Sequence, residues 1–334
     1  MANPASVPGH GHGPHRRPHL VARLLAWVVL FPVLGCAVGV ILAPWVWIGA
    51  LAIPWAGHAA LALVVPMVVW RRYLLVGVGL VALLLLLLAP RLASAWSARA
   101  ESPRSDDVIL TVASANIFKE NPLRAGDIST ITELAVDCFV LIEIDQGDED
   151  SLRDDPRWPY QRWEHGAHGD HRGLGLALLS RYPLREVILH RVGSDVLIAA
   201  QLQPPGAETV QLFAIHTKSP VSAGDTALRN RQIEFISRQA RASTMPVIAL
   251  GDWNCTPDSL AWANLQPSGL LRPPGHAPAT WPSWLGPLGI PIDHILVRGT
   301  RISDFRSQAL PGSDHRLVAA TVGISARGAA PARE

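Results

Sequence analysis

The stretch LGDWNCTPDS, Leu250 to Ser259, follows directly on the apolar run Met245 to Ala249. A segment of this kind reads as a buried strand, yet it ends by presenting an acid, an indole and an amide in succession. Carboxylates and amides are rarely buried without partners, because their removal from water is costly. Asp252 and Asn254 therefore call for a metal, a hydrogen-bond network or a ligand. Successive side chains of a strand point to opposite faces, so Trp253 turns away from both and packs.

Seven further segments share the apolar, β-branched character: Val108 to Phe118, Asp137 to Ile144, Gly173 to Ser180, Val196 to Gln203, Thr209 to Thr217, Ile292 to Gly299 and Arg316 to Ile324. Helical periodicity falls between them at Arg124 to Val136 and Asp225 to Ala242, and QPPGAE after Leu202 reads as a hairpin turn. Many strands with few helices predict an α+β fold, a sandwich of two facing sheets with helices outside. The polar residues of interest all fall at strand ends. Asn116 closes the first strand, Glu143 the second, His216 the fifth, Asp252 and Asn254 the sixth; Asp293 opens the seventh, and Asp314 and His315 precede the eighth. So many polar groups of the buried type exceed what a core without a ligand accommodates. Oxygen donors such as Asn116, Glu143 and Asp314 suit Mg²⁺, which takes one or two carboxylates and keeps waters and substrate oxygens. Cys36, Cys138 and Cys255 have neither the spacing of a zinc site nor that of a disulfide framework, and read as buried thiols.

Duller readings stand beside these. Asp252 and Asn254, followed by Thr256 and Pro257, would also shape a turn and cap a helix starting near Ser259. His216 reads as a satisfied core imidazole on its own, and Asp314 as a turn cap. Arg229, Arg231 and Gln232 fit a solvated or structural helix face. His165, His168 and His171 belong to a loop with no fixed role.

Taken in order, ASANIF, LIEI, GLALLSRYPL, AIHTKSP, RNRQIEF, LGDWNCTPDS, PIDHILV and GSDHRLV resemble the endonuclease/exonuclease/phosphatase superfamily, whose members include DNase I-like nucleases, sphingomyelinases and inositol-polyphosphate 5-phosphatases. The resemblance covers residues 107–324 and implies a four-layer DNase I-like sandwich acting as a metal-dependent hydrolase of phosphate esters. It implies that Glu143 is the principal ligand of Mg²⁺, or of Mn²⁺, with Asn116 and Asp314 completing or orienting the metal site. It further implies that His315, held by Asp293, meets the scissile phosphate, that Asp252 orients or deprotonates the attacking water, and that Asn254 and His216 donate to phosphoryl oxygens. Ile142 stands where a Gln commonly precedes the acid, which removes one accessory hydrogen bond.

The first ninety residues have a different character. Leu20 to Leu42, Val46 to Trp70 and Tyr73 to Pro90 each have about the length and apolarity to cross a bilayer as helix, predicting three transmembrane helices rather than one cleaved signal. Residues 1–19, Gly- and Pro-rich with several His, predict a disordered cytoplasmic tail. Arg16, Arg17 and Arg23 flank the first segment and Arg71 and Arg72 separate the second from the third, which by the positive-inside rule places everything after residue 90 on the extracytoplasmic face. Arg91, Arg99 and Arg104 argue the other way if the third segment is not a span. Residues 91–106 read as a linker and 325–334 as a flexible tail. His58 and the prolines at 32, 54 and 66 interrupt the apolar segments, but three helices leave little room for a transport route and read as an anchor. An anchor of this kind ahead of such a domain also resembles the bacterial VanJ-type membrane proteins linked to teicoplanin resistance.

Charge bears on the substrate. Residues 105–334 hold twenty-one basic and twenty-six acidic side chains, a net −5 that disfavours polynucleotides, which bind cationic grooves. The tether and the Trp-rich TWPSWLGPLGIP, Thr280 to Pro291, favour instead a membrane lipid or lipid-linked phosphate, and the VanJ-type resemblance implies undecaprenyl pyrophosphate or a related cell-wall carrier; the bland account folds that loop inward as core. An extracytoplasmic nuclease and a non-catalytic sensor of a cell-wall ligand are the competing expectations.

Overall fold

The computed structural model describes residues 17–71, 73–95, 98–165 and 175–328. The tail expectations at residues 1–16 and 329–334, and His168 and His171, lie outside the described residues.

Period-2 alternation creates the layers of the larger region. Strand β1 (Val108–Asn116) sends Val112 into a core between two sheets and Ala113 and Ala115 to the opposite face. The first sheet is six-stranded, in the order β10 (Arg301–Ala309), β11 (Arg316–Ile324), β1, β2 (Cys138–Ile144), β4 (Gly175–Ser180), β3 (Tyr160–Glu164). The second is five-stranded and runs β5 (Leu184–Val192), β6 (Asp195–Leu202), β7 (Val210–His216), β8 (Val247–Asp252), β9 (Asp293–Arg298). Side chains of both sheets, among them Val140, Leu178, Leu212, Leu250 and Val318, interdigitate in the central core. The outer face of the first sheet is covered by α6 (Arg124–Glu133) and α7 (Gln146–Leu152) with Trp158, and that of the second by α8 (Ala223–Ala242) through Ile233, Ile236 and Ala240. The result is the two-sheet, four-layer sandwich expected from the sequence.

Each sheet contains one parallel pair: β1 beside β2, joined through α6, and β7 beside β8, joined through α8. Every other pairing is antiparallel. Parallel strands end at the same edge, so each unit delivers two carboxyl-terminal ends together, and antiparallel β9 and β11 bring their first residues to those ends. Three strands escape the sequence reading: β3, β5 and β10. Their residues are mostly exposed or half-buried, so the apolar signal that marks a strand is weak there.

The amino-terminal region is a helical bundle with its own apolar core. Helix α1 (Arg17–Leu42) and helix α5 (Leu74–Ala95) are long and continuous. The expected middle span is instead a series of short helices, α2 (Trp47–Ala50), a 3₁₀ turn at Ile53–Trp55, α3 (Ala56–Ala62) and α4 (Val64–Trp70). Pro54 and Pro66 lack the N–H that a continuous helix needs there. By length and composition two helical segments, Leu20–Leu42 and Trp47–Trp70, are able to cross a membrane; the third apolar stretch, Leu75–Pro90, is shorter. Trp70 packs edge-on against Trp27, which sets Arg71 at the same end of the bundle as Arg23.

Candidate active site

Register assembles the site from the second sheet first. His216 pairs with Asp252 across the parallel β7/β8 ladder, and Asp252 with Asp293 across the antiparallel β8/β9 ladder. Gly251 permits the close approach of these strands, since its φ is 146° and a Cβ there would lie 1.9 Å from the Ile215 carbonyl oxygen. Asn254, at φ 45°, turns the chain so that its own N–H donates to Asp252 Oδ1 at 2.8 Å. Its side-chain amide donates to the Thr217 carbonyl at 2.9 Å and to Asp252 Oδ2 at 3.2 Å. Trp253 is fully buried on the other face, its indole N–H donating to the His294 carbonyl at 3.3 Å.

The first sheet contributes from the facing layer. Asn116 Nδ2 donates to Glu143 Oε1 at 3.1 Å and to Asp252 Oδ2 at 3.3 Å, so a single amide ties the two sheets together. Glu143 sits at a register break between β2 and β4 with φ 61°. The bulge lifts its carboxylate out of the ladder and turns it toward the cleft, a use of strained backbone common at functional positions. The Lys119 N–H holds Glu143 Oε2 at 2.8 Å, and His216 Nε2 stands 4.0 Å from Oε1. Arg124, at the start of α6, donates to the Glu143 carbonyl at 3.2 Å and to Asp148 at 2.5 Å, fixing the bulge from behind.

His315 completes the cluster. Its Nδ1–H donates to Asp293 Oδ2 at 2.9 Å, and its Nε2 lies 3.8 Å from Asp252 Oδ2. Among the described residues, Asp252, Asp293 and His315 form a group whose ligand-type atoms all lie within 4.8 Å of one another. Burial pulls the His315 imidazole toward neutrality, but the carboxylates of Asp293 and Asp252 outweigh it and push its pKa up to about 10. Asp252 moves up to about 6 because burial, and then the charge of Asp293, disfavour its ionised form. Neighbouring Asp314 faces the same cleft. Its Oδ2 accepts from the Trp281 indole N–H at 2.9 Å, while its Oδ1 is buried with no partner.

All eight residues expected from the sequence thus gather at one edge of the sandwich. Glu143, His216, Asp252, Asn254, Asp314 and His315 line one cavity of about 710 Å³, while Asn116 and Asp293 support it from beneath. Three contributions had no reading in the sequence. Arg124 and the Lys119 N–H act through backbone geometry, which no pattern announces. Trp281 was read as part of an apolar loop, and it orients Asp314 instead. Arg229 is buried and donates to the Asn254 carbonyl at 2.9 Å, in keeping with a structural helix face.

The Endonuclease/Exonuclease/phosphatase family matches residues 113–315, and the chain belongs to that family. Its members are divalent-metal-dependent hydrolases of phosphate esters, and the chain carries that hydrolase fold. Solved structures similar to it include a humanized D. rerio TDP2 carrying 14 mutations, at 17% identity over 64% of this chain and 98% of that one, TM-score 0.53. A conserved protein of unknown function from Enterococcus faecalis V583 is similar at 14% identity over 64% of this chain and 100% of that one, TM-score 0.54. An endonuclease/exonuclease/phosphatase from Beutenbergia cavernae DSM 12333 shares 16% identity over 65% of this chain and 72% of that one, TM-score 0.52. Identities this low speak to the fold alone. No curated protein matches the chain by sequence.

The residues present fit a hard divalent cation. The unpartnered buried Oδ1 of Asp314 and the lifted carboxylate of Glu143 are oxygen donors turned into one cavity, and among the described residues neither is ion-paired with an Arg or Lys side chain.

Proposed function

We propose that the chain is a membrane-anchored, Mg²⁺-dependent phosphoesterase. Its sandwich lies on the extracytoplasmic face and hydrolyses a lipid-linked phosphate or pyrophosphate, such as undecaprenyl pyrophosphate, in cell-envelope metabolism. The carrying observation is that one cavity is lined both by the carboxylate and imidazole cluster and by Trp45, Trp47 and Trp55 of the helical bundle. A site that binds only a soluble phosphate has no use for such a wall.

Glu143 and Asp314 would hold the cation, with Asn116 orienting Glu143, its own Oδ1 being engaged by the Phe118 N–H at 3.0 Å. A bound Mg²⁺ supplies neutralisation of charge on the phosphoryl oxygens. Asp252 orients a water and takes its proton as the water oxygen bonds to phosphorus. In the pyrophosphate the bridging P–O bond breaks, and the departing lipid phosphate is stable as an anion, so it needs no general acid. Cationic His315, kept charged by Asp293, donates to a phosphoryl oxygen as negative charge builds there. His216 and Asn254 flank the same oxygens.

Two candidate spans and a shorter third apolar helix, with the amino terminus on the inside, account for sidedness. Arg23 and Arg71 share one end of the bundle, and the α1–α2 connection, at the other end, meets the sandwich. The arrangement is in keeping with a VanJ-type role in glycopeptide resistance. The test is phosphate release by the purified full chain with Mg²⁺ from polyprenyl pyrophosphate, sphingomyelin, a phosphoinositide and DNA, beside Asp252→Ala. Release from the polyprenyl substrate alone is expected. Cleavage of DNA alone would establish a nuclease, and binding without release, equal in both proteins, a sensor.

A further inference from the structure

The helical bundle does more than hold the sandwich near a bilayer. Its α1–α2 connection and the segment up to Trp55 form a wall of the catalytic cavity through Trp45, Trp47, Leu51 and Trp55. The wall is docked against the sandwich: His58, one turn beyond Trp55, contacts the Leu288 carbonyl through Nε2 at 2.7 Å, and α2 packs on α8. Across the cavity the sandwich answers with Val221 and Leu260. These rim residues are also open to the outside, with Trp45 exposed to 77%, Val221 to 72%, Leu260 to 48% and Val46 to 38%. A polar cleft whose rim is large exposed apolar groups marks a site for an amphiphile.

Beside this rim, at the end of α1 and in α2, Ile41, Leu42 and Ile48 are exposed as well. On the sandwich, Trp284 and Leu288 stand exposed on the loop that His58 grips. A phosphate or pyrophosphate group fills only a fraction of about 710 Å³. The remaining volume belongs to the same cavity that the charged cluster and the tryptophan wall both line.

Resting on the reading that the site hydrolyses lipid-linked phosphates, we infer that Trp45, Trp47, Leu51 and Trp55 form the seat for the substrate's isoprenoid chain. The bundle thereby sets a preference for long-chain over short-chain pyrophosphates. The chain enters from the side, along the bundle, while the pyrophosphate reaches Asp252 and His315. The wall residues are specificity determinants that touch substrate but take no part in bond breaking.

The experiment measures kcat and KM for isopentenyl, farnesyl and undecaprenyl pyrophosphates in mixed micelles, using the full-length chain, Trp45→Ala and Trp45→Ala/Leu51→Ala. Trp45 is largely exposed, so its replacement leaves the fold intact. In the wild type kcat/KM rises with chain length. Losing one aromatic face from the seat raises KM for the two longer substrates about tenfold in Trp45→Ala, more in the double variant, with kcat and the isopentenyl substrate unchanged. Equal losses on all three substrates, or no loss on any, would overturn the proposal. If the wild type releases no phosphate from any of the three yet cleaves a single-stranded oligonucleotide, the underlying reading falls and this proposal with it, a pattern distinct from the other two.

Discussion

The two strand–helix–strand units, β1–α6–β2 and β7–α8–β8, share a connectivity and an edge of the sandwich but deliver their acids differently. In the second unit the ladder stays in register to its last pair, His216 with Asp252, and the acid ends almost wholly buried. In the first unit the ladder breaks at Glu143, whose left-handed backbone and bulge raise the carboxylate toward the cavity. The difference teaches how one fold makes two kinds of carboxylate. Burial raises the pKa of Asp252, and a bulge turns the Glu143 carboxylate toward the cavity.

That contrast is most directly broken at Asp252. Asp252→Asn keeps the shape and an acceptor for the Asn254 N–H but removes the proton acceptor. Turnover is expected to fall about 10³-fold, measured as phosphate release at saturating Mg²⁺, with KM little changed. A loss under tenfold would remove Asp252 from the chemistry. Glu143→Gln strikes the other unit and should act through the ion. The Mg²⁺ concentration for half-maximal activity is expected to rise about 10- to 100-fold, with part of the rate recovered at high Mg²⁺. A chelator should abolish wild-type activity, and an unchanged Mg²⁺ requirement in Glu143→Gln would place the ion elsewhere.

Backbone provides the next comparison. Gly251→Ala in β8 would force a Cβ into the Ile215 carbonyl, so the parallel pair must separate. A stability loss of about 3 kcal/mol or more is expected, seen as a drop of about 6 °C or more in Tm for the catalytic region. Soluble, fully stable Gly251→Ala protein would show that the β7/β8 approach is looser than described.

The edge geometry was legible in the sequence to the extent that polarity interrupts apolar runs. Asn116, Glu143, His216, Asp252, Asp293 and His315 each lie at or next to the end of a strand whose other residues are mostly buried, and that break in pattern is visible in one dimension. Strands β3, β5 and β10 were not, because their exposure erases the alternation. Nor was the part of the cavity wall that comes from the bundle, since Trp45 and Asp252 lie two hundred residues apart and only packing brings them together. Equally silent was Arg124, whose hold on Glu143 is through the backbone carbonyl.

The smallest expected effect isolates α6, the connecting helix of the first unit, from catalysis. Asp127 is fully buried there, its Oδ2 accepting from Asn121 Nδ2 at 2.5 Å and its Oδ1 without a partner. Burial is the main cause that carries its pKa up to about 7, against the hydrogen bond from Asn121 and the charge of Arg124, which favour ionisation. A carboxyl with a raised folded-state pKa binds more protons folded than unfolded. Stability is therefore greatest below the unfolded value near 4, declines as pH rises toward about 7, and is flat above it. Asp127→Asn mimics the protonated form and removes that slope. Near pH 4 the variant and the wild type should melt together, and the variant should gain on the wild type steadily as pH rises to about 7 and keep that lead above it, read as a widening difference in Tm. Parallel melting curves across that range would mean that Asp127 titrates normally, and that α6 seats its acid as an ion balanced by Arg124.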